Sequence, residues 1–149
     1  MPETTEMEPK KKRGRKPRHP QFAQEMANPG ETGSIVQRVM AAWALSPIDS
    51  SDIEQVKART MEYLTFCQEQ DCVPHKTALC AWLGIDRTTL YAWERGEYRR
   101  ETHYAYAQKV ASLMEGVLVD LMANNKIFPG NGCFLLKNHS GYRDQIEIV

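Results

Sequence analysis

The residues best suited to contact another molecule lie in a short helix predicted after Asp86. Its outward positions are expected to be Arg87, Thr88, Thr89, Tyr91, Ala92 and Arg95. An arginine can donate to guanine O6 and N7 or to a phosphate, a threonine can reach a base edge, and a tyrosine can contact phosphate. This set predicts contact with double-stranded DNA. The alternative, two packed helices with no role in DNA binding, stays open.

A basic run near the N-terminus is the second candidate contact with DNA. Seven of the nine residues at positions 10–18 are basic: Lys10, Lys11, Lys12, Arg13, Arg15, Lys16 and Arg18. A flexible cationic segment binds phosphates whatever the base sequence. The Arg-Gly-Arg at 13–15 resembles an AT-hook, which lays arginines in a narrow minor groove, although Lys16 separates Arg15 from Pro17. We expect phosphate contacts, and the minor-groove mode stays open.

Metal and enzyme chemistry have weaker support. Four residues of types that bind zinc lie within one short stretch: Cys67, Cys72, His75 and Cys80. However, no Cys-x2-Cys pair is present, and the spacing fits no common zinc module. Cys67 and Cys80 instead fall on apolar helical stripes, where a free cysteine behaves as a small hydrophobe. No P-loop is present, and none of the four histidines adjoins an obvious nucleophile. We therefore predict no metal, no cofactor and no catalytic residue.

The elements that would position the outward residues form a predicted helix-turn-helix at about residues 74–96. Pro74 is expected at the first helical position, and Gly84 is expected to end that helix because glycine readily adopts the left-handed turn conformation. Asp86 is expected to cap the second helix. The apolar residues predicted to pack the two helices together are Leu79, Cys80, Leu83, Ile85, Leu90 and Trp93.

Helical periodicity extends over most of the remaining chain. Further helices are predicted at about 34–45, capped by Ser34, at 52–70, begun by a capping box of Ser51 and Glu54, at 101–124 and at 133–139. The Pro-Gly-rich stretch at 129–132 is expected to separate the last two. No segment alternates with period two over more than a few residues, so the predicted fold class is all-α.

Charge and composition divide the chain into three parts. Residues 1–20 carry seven Lys and Arg against three Glu, whereas the other 129 carry 12 basic and 16 acidic residues. Residues 1–33 are predicted to be a disordered basic arm, 34–100 a helical domain with the helix-turn-helix, and 101–149 a long helix with a C-terminal segment. The longest apolar run, at 39–45, is far too short to span a bilayer, so we expect no membrane partner. We also expect no secretory signal and reduced thiols, as in a cytoplasm.

The predicted long helix carries an apolar stripe from Tyr104 to Met122. A second apolar patch follows at 134–136. Together they exceed what a small helix-turn-helix obviously buries, which predicts self-association. The alternative is that the first helix covers the stripe within one monomer, through Met40 and Trp43.

The closing segment resembles the small terminase subunits of tailed bacteriophages. The motifs that carry the resemblance are Asn124-Asn125, Phe134-Leu135-Leu136-Lys137-Asn138 and Gly141-Tyr142-Arg143-Asp144. The resemblance extends more weakly over about residues 52–147. It implies a non-enzymatic DNA-packaging protein of the host bacterial cytoplasm, which recognises the packaging site, forms a homo-oligomeric ring and regulates the terminase large subunit. By position, Arg87, Thr88 and Tyr91 would inherit the contact with DNA.

Two other functions remain open. The chain is also compatible with a prophage-type helix-turn-helix transcriptional regulator, and with an interaction protein whose helix-turn-helix is only structural. The DNA site, the ring size and the docking site of the large subunit are not determined by the sequence.

Overall fold

The computed structural model describes residues 29–97 and 100–143. Within these ranges the chain is all-α, as predicted, and forms no strand. The six α-helices are α1 (Glu31–Met40), α2 (Ile53–Glu69), α3 (Lys76–Leu83), α4 (Arg87–Glu94), α5 (Glu101–Ala123) and α6 (Pro129–His139), with a 3-10 turn at Ala41–Ala44 after α1. None of the helices in this part of the chain is long and apolar enough to cross a membrane.

Several helix starts differ from the predicted ones. Asp52, not Ser51, caps α2 by accepting a hydrogen bond from the Glu54 N–H at 3.0 Å, while Ser51 instead donates to Asp49. Pro74 precedes α3, whose cap is His75: its Nδ1 accepts from the Ala78 N–H at 3.2 Å. The predicted capping box and the predicted position of Pro74 are therefore wrong, because a neighbouring side chain accepts the free N–H groups.

The two outer helices also begin earlier than predicted. α1 begins at Glu31 after a left-handed Gly30 with φ +93°, so Ser34 lies inside the helix and residues 31–33 are not part of a disordered arm. α6 begins at Pro129, so the stretch at 129–132, which was expected to separate the last two helices, forms the first turn of α6. Proline suits that position because its missing N–H would have no helical partner there. Gly132 is buried in this first turn, against Met122 of α5.

The core lies between α2, α3, α4 and the first half of α5. Its members include all but one of the apolar residues predicted to pack α3 against α4, with Ile85 half-buried beside them. Cys67 and Cys80 are buried free thiols, and burial raises the pKa of each to about 11. Among the described residues, no three His, Cys, Asp or Glu side chains are grouped as metal ligands.

Polar side chains of α5 enter this core at two places that the apolar pattern did not indicate. His103 is fully buried, and its Nε2 lies 2.9 Å from the carbonyl oxygen of Ser50. The Tyr106 hydroxyl lies 2.6 Å from the Thr60 hydroxyl, which itself donates to the Val56 carbonyl. Because the single Thr60 hydroxyl proton is used in that bond, the Tyr106 hydroxyl must be the donor to Thr60. Burial raises the pKa of Tyr106 to about 12. Both hydrogen bonds tie α5 to the segment around α2.

Candidate nucleic-acid interface

A tight turn joins α3 to α4 as the sequence predicted. Gly84 adopts the left-handed conformation with φ +70°, and the Ile85 N–H donates to the Cys80 carbonyl at 3.1 Å. Asp86 caps α4 by accepting a hydrogen bond from the Thr89 N–H at 2.7 Å, and this bond lowers the pKa of the carboxyl. The predicted roles of Gly84 and Asp86 are confirmed. Together they fix the angle at which α4 leaves the turn.

The packing of α3 against α4 decides which side of α4 faces outward. Leu79 and Leu83 of α3 meet Leu90 and Trp93 of α4, and each of the four is at most 2% exposed. The Trp93 ring also packs edge-on against His103 of α5, with 4.7 Å between the ring centroids. The opposite side of α4 is therefore the one left for a partner.

Four of the six predicted outward positions are exposed or half-buried at the surface of α4. Thr88 and Arg95 are exposed, and Thr89 and Ala92 are half-buried. Arg95 pairs with Glu97, with 2.8 Å between Nε and Oε1. Both side chains of that pair are well exposed, so the pair contributes little to stability and can reopen for a phosphate.

Arg87 and Tyr91 are half-buried, and both make contacts within the molecule that the sequence did not indicate. The Arg87 guanidinium donates to the Tyr91 hydroxyl and lies over the Tyr91 ring, 5.2 Å from its centroid. Its Nη2 also lies 3.1 Å from Nδ1 of His139, the last residue of α6. Arg87 Nε is buried without a hydrogen-bond partner. The physical reason is that the last residue of α6 reaches the first residue of α4, which no local sequence signal indicates.

Lys76 is a further residue of this region that the sequence analysis missed. Its side chain is 7% exposed, and its ammonium pairs with Glu94 of α4 at 2.8 Å. The same ammonium donates to the backbone carbonyl of His139 at 2.9 Å and lies 5.6 Å from the centroid of the Tyr91 ring. A lysine is rarely buried unless its charge is paired. The sequence separation of Lys76 from Glu94 and from His139 does not indicate that these residues are in contact.

These contacts form one polar cluster that joins α3, α4 and α6. We call it the docking cluster; its members are Lys76, Arg87, Tyr91, Glu94 and His139. Since a guanidinium can only donate, His139 Nδ1 must be the acceptor, which places the neutral imidazole's proton on Nε2. Desolvation, followed by the charges of Arg87 and Lys76, lowers the pKa of His139. The cluster therefore holds α6 through a neutral histidine.

The basic run lies outside the described residues. Contact between its seven Lys and Arg and DNA therefore remains a prediction from the sequence. No family model, no curated protein and no solved structure matches the chain.

Proposed function

We propose that this chain is a non-enzymatic protein that binds double-stranded DNA through α4 and the N-terminal basic run. The observation that carries the proposal is the short pair α3–α4, joined at a left-handed Gly84 and packed so that Thr88 and Arg95 stay exposed. In DNA-binding helix-turn-helix units, the N-terminal residues of the second helix contact base edges in the major groove. Thr88 occupies such a position.

The charge distribution supports different roles for the basic run and for α4. The 20 N-terminal residues carry the positive excess, and the rest of the chain is mildly acidic. Phosphate contacts supply most of the sequence-independent affinity, whereas base contacts supply specificity. The basic run would therefore hold the duplex, and α4 would fix the register of the protein along it.

The finer proposal is that the chain is the small terminase subunit of a tailed bacteriophage. It is supported by the sequence resemblance over residues 52–147, whose most specific motifs lie in and just after α6. Its partners would then be packaging-site DNA, the terminase large subunit and further copies of itself in a ring, all in the cytoplasm of the host bacterium. Apolar side chains exposed on α1 and α5 support the self-association.

Binding of a labelled duplex tests the DNA proposal. Thr88→Glu places a carboxylate on the exposed side of α4, and Ser112→Glu places one at an exposed position of α5. We expect Thr88→Glu to weaken binding at a specific site by on the order of tenfold or more, since one good base contact contributes about 1–3 kcal/mol. Ser112→Glu should bind like the wild type. Equal affinity of both variants would exclude α4 as the DNA contact.

A second measurement tests the terminase proposal. The purified chain should co-elute with a terminase large subunit encoded beside it and change the ATPase rate of that subunit. DNA binding without either effect would favour a transcriptional regulator instead.

A further inference from the structure

We propose that α6 is an internal cap on the DNA-facing end of α4, and that DNA binding displaces it. The inference rests on the proposed function and adds a regulatory contact to it. Its starting point is the position of His139, which contacts Lys76, the first residue of α3, and Arg87, the first residue of α4. The end of α4 that would enter a major groove is thus the end that the last residue of α6 contacts.

The contacts that His139 makes have the chemistry of a base edge. Guanine presents a carbonyl oxygen, O6, and a ring nitrogen, N7, as its two acceptors in the major groove. His139 presents its own carbonyl oxygen to Lys76 at 2.9 Å and an imidazole nitrogen to Arg87 at 3.1 Å. The cap therefore satisfies the two cations with the same acceptor types that a guanine would offer. This favours guanine-containing DNA as the ligand that exchanges with α6.

The capped arrangement leaves Arg87 incompletely satisfied. Its Nε is buried with no hydrogen-bond partner, and an unpaired buried donor costs free energy that solvent or a phosphate would recover. Lys76, in contrast, keeps its Glu94 partner when α6 leaves. Arg87 is the residue that the displacement frees for DNA, together with the Tyr91 hydroxyl that it now binds.

The attachment of α6 to the rest of the molecule is small enough to be reversible. Among the side chains of α6 that the structure describes, Leu136 is the large apolar one that is buried, whereas α5 buries His103, Tyr106, Ala107, Val110 and Met114. Phe134, two residues earlier, is 65% exposed. The connection to α5 is an exposed turn in which Asn125 has φ +53°. Elements that bury few apolar contacts are the ones that open locally.

The matched variants Leu136→Asn and Phe134→Asn test the cap without changing the net charge. Leu136→Asn removes the buried anchor of α6, and Phe134→Asn makes the same kind of change on its exposed side. We expect Leu136→Asn to bind a guanine-containing duplex about tenfold more tightly than the wild type, the gain expected if about a tenth of the wild-type molecules are uncapped. Phe134→Asn should bind like the wild type. Unchanged or weaker binding by a folded Leu136→Asn overturns the proposal.

Hydrogen exchange of the unmodified chain gives a second readout that does not depend on any variant. Addition of the duplex should reduce the amide protection of residues 132–139. Binding with unchanged or increased protection of α6 overturns the cap and leaves DNA binding intact. Absence of DNA binding by both the wild type and Leu136→Asn overturns the proposed function, and the cap with it.

Discussion

Arg87 Nη2 and His139 Nδ1 lie 3.1 Å apart although 52 positions separate them in the chain. The pair joins the first residue of α4 to the last residue of α6. Because the guanidinium is a permanent donor, the contact exists only while His139 Nδ1 is unprotonated. The position of α6 on α4 is consequently linked to proton binding by one imidazole.

Acid should therefore loosen α6. The charged groups around His139 are Arg87 on α4 and Lys76 on α3, the latter paired with Glu94, with His75 near the start of α3 and Glu115 on α5. Desolvation and the two cations lower the pKa of His139 from the usual 6.5, so the docked form binds fewer protons than the undocked form. Docking should be strongest above pH 6.5 and weaken as the pH falls below it.

The protection of α6 amides at pH 7.5 and pH 5.5, corrected for intrinsic exchange rates, measures this effect. His75 is a second group whose pKa is lowered, by burial and then by His139, so a control is needed. His139→Gln keeps a side-chain acceptor without titrating. It should remove most of the difference between the two pH values. A difference that survives intact in His139→Gln would assign the acid sensitivity to His75.

Core packing around Trp93 should dominate the stability of the α3–α4 unit. Trp93 is 1% exposed and touches His103 and Tyr106, whereas Trp43 is 85% exposed. Trp93→Ala should lower the free energy of unfolding by about 3–5 kcal/mol, because a large cavity remains in the core. Trp43→Ala, the same substitution on an exposed side chain, should change the free energy of unfolding of the single chain by less than about 0.5 kcal/mol, measured below the concentration at which copies associate. Urea unfolding of both variants checks this, and the reverse order would contradict the packing described above.

Deletion of residues 1–20 should separate the contribution of the basic run from that of α4. The deletion removes seven Lys and Arg and leaves every described helix in the chain. Each lost phosphate contact reduces the slope of log K against log salt by about 0.9, so at most about six units should disappear. The melting temperature should stay unchanged. An unchanged slope would show that the basic run does not bind DNA.

Features decided by a few neighbouring residues were predictable from the sequence, whereas contacts between distant segments were not. Gly84 and Asp86 were predictable because a left-handed turn and a helix cap are decided by one or two residues. The apolar spacing likewise gave the packing of α3 on α4. The contacts of Lys76 and Arg87 with His139 were not predictable, since they depend on where α6 docks. The burial of His103 was not predictable, because the group that its Nε2 contacts is the backbone carbonyl of Ser50, and every residue type has such a carbonyl.

Apolar side chains that face solvent on α1 and α5 remain to be explained. The stripe formed by α1 and the 3-10 turn after it is at least 49% exposed at Ile35, Val36, Val39, Met40 and Trp43. Met40 and Trp43 therefore do not cover the α5 stripe within one chain, which was the alternative to self-association. On α5, the stripe is buried at Ala107, Val110 and Met114 and half-buried at 117, 118, 121 and 122. Leu113 and Val119, which flank the stripe, are each 42% exposed. Two separate apolar surfaces on one chain suit a head-to-tail contact between copies.

Light scattering at micromolar concentration should therefore give a mass well above the 17.1 kDa of one chain. Val39→Asp on α1 and Val119→Asp on α5 each place a charge in one of the two surfaces, and Gln37→Asp supplies the same charge at an exposed polar position of α1. In a head-to-tail assembly both valine variants should dissociate, because each copy uses both surfaces, and Gln37→Asp should not. Dissociation by Val119→Asp alone would restrict the contact to α5. A mass near 17.1 kDa over about a hundredfold range of concentration would exclude a ring under those conditions and favour an isolated DNA-binding regulator.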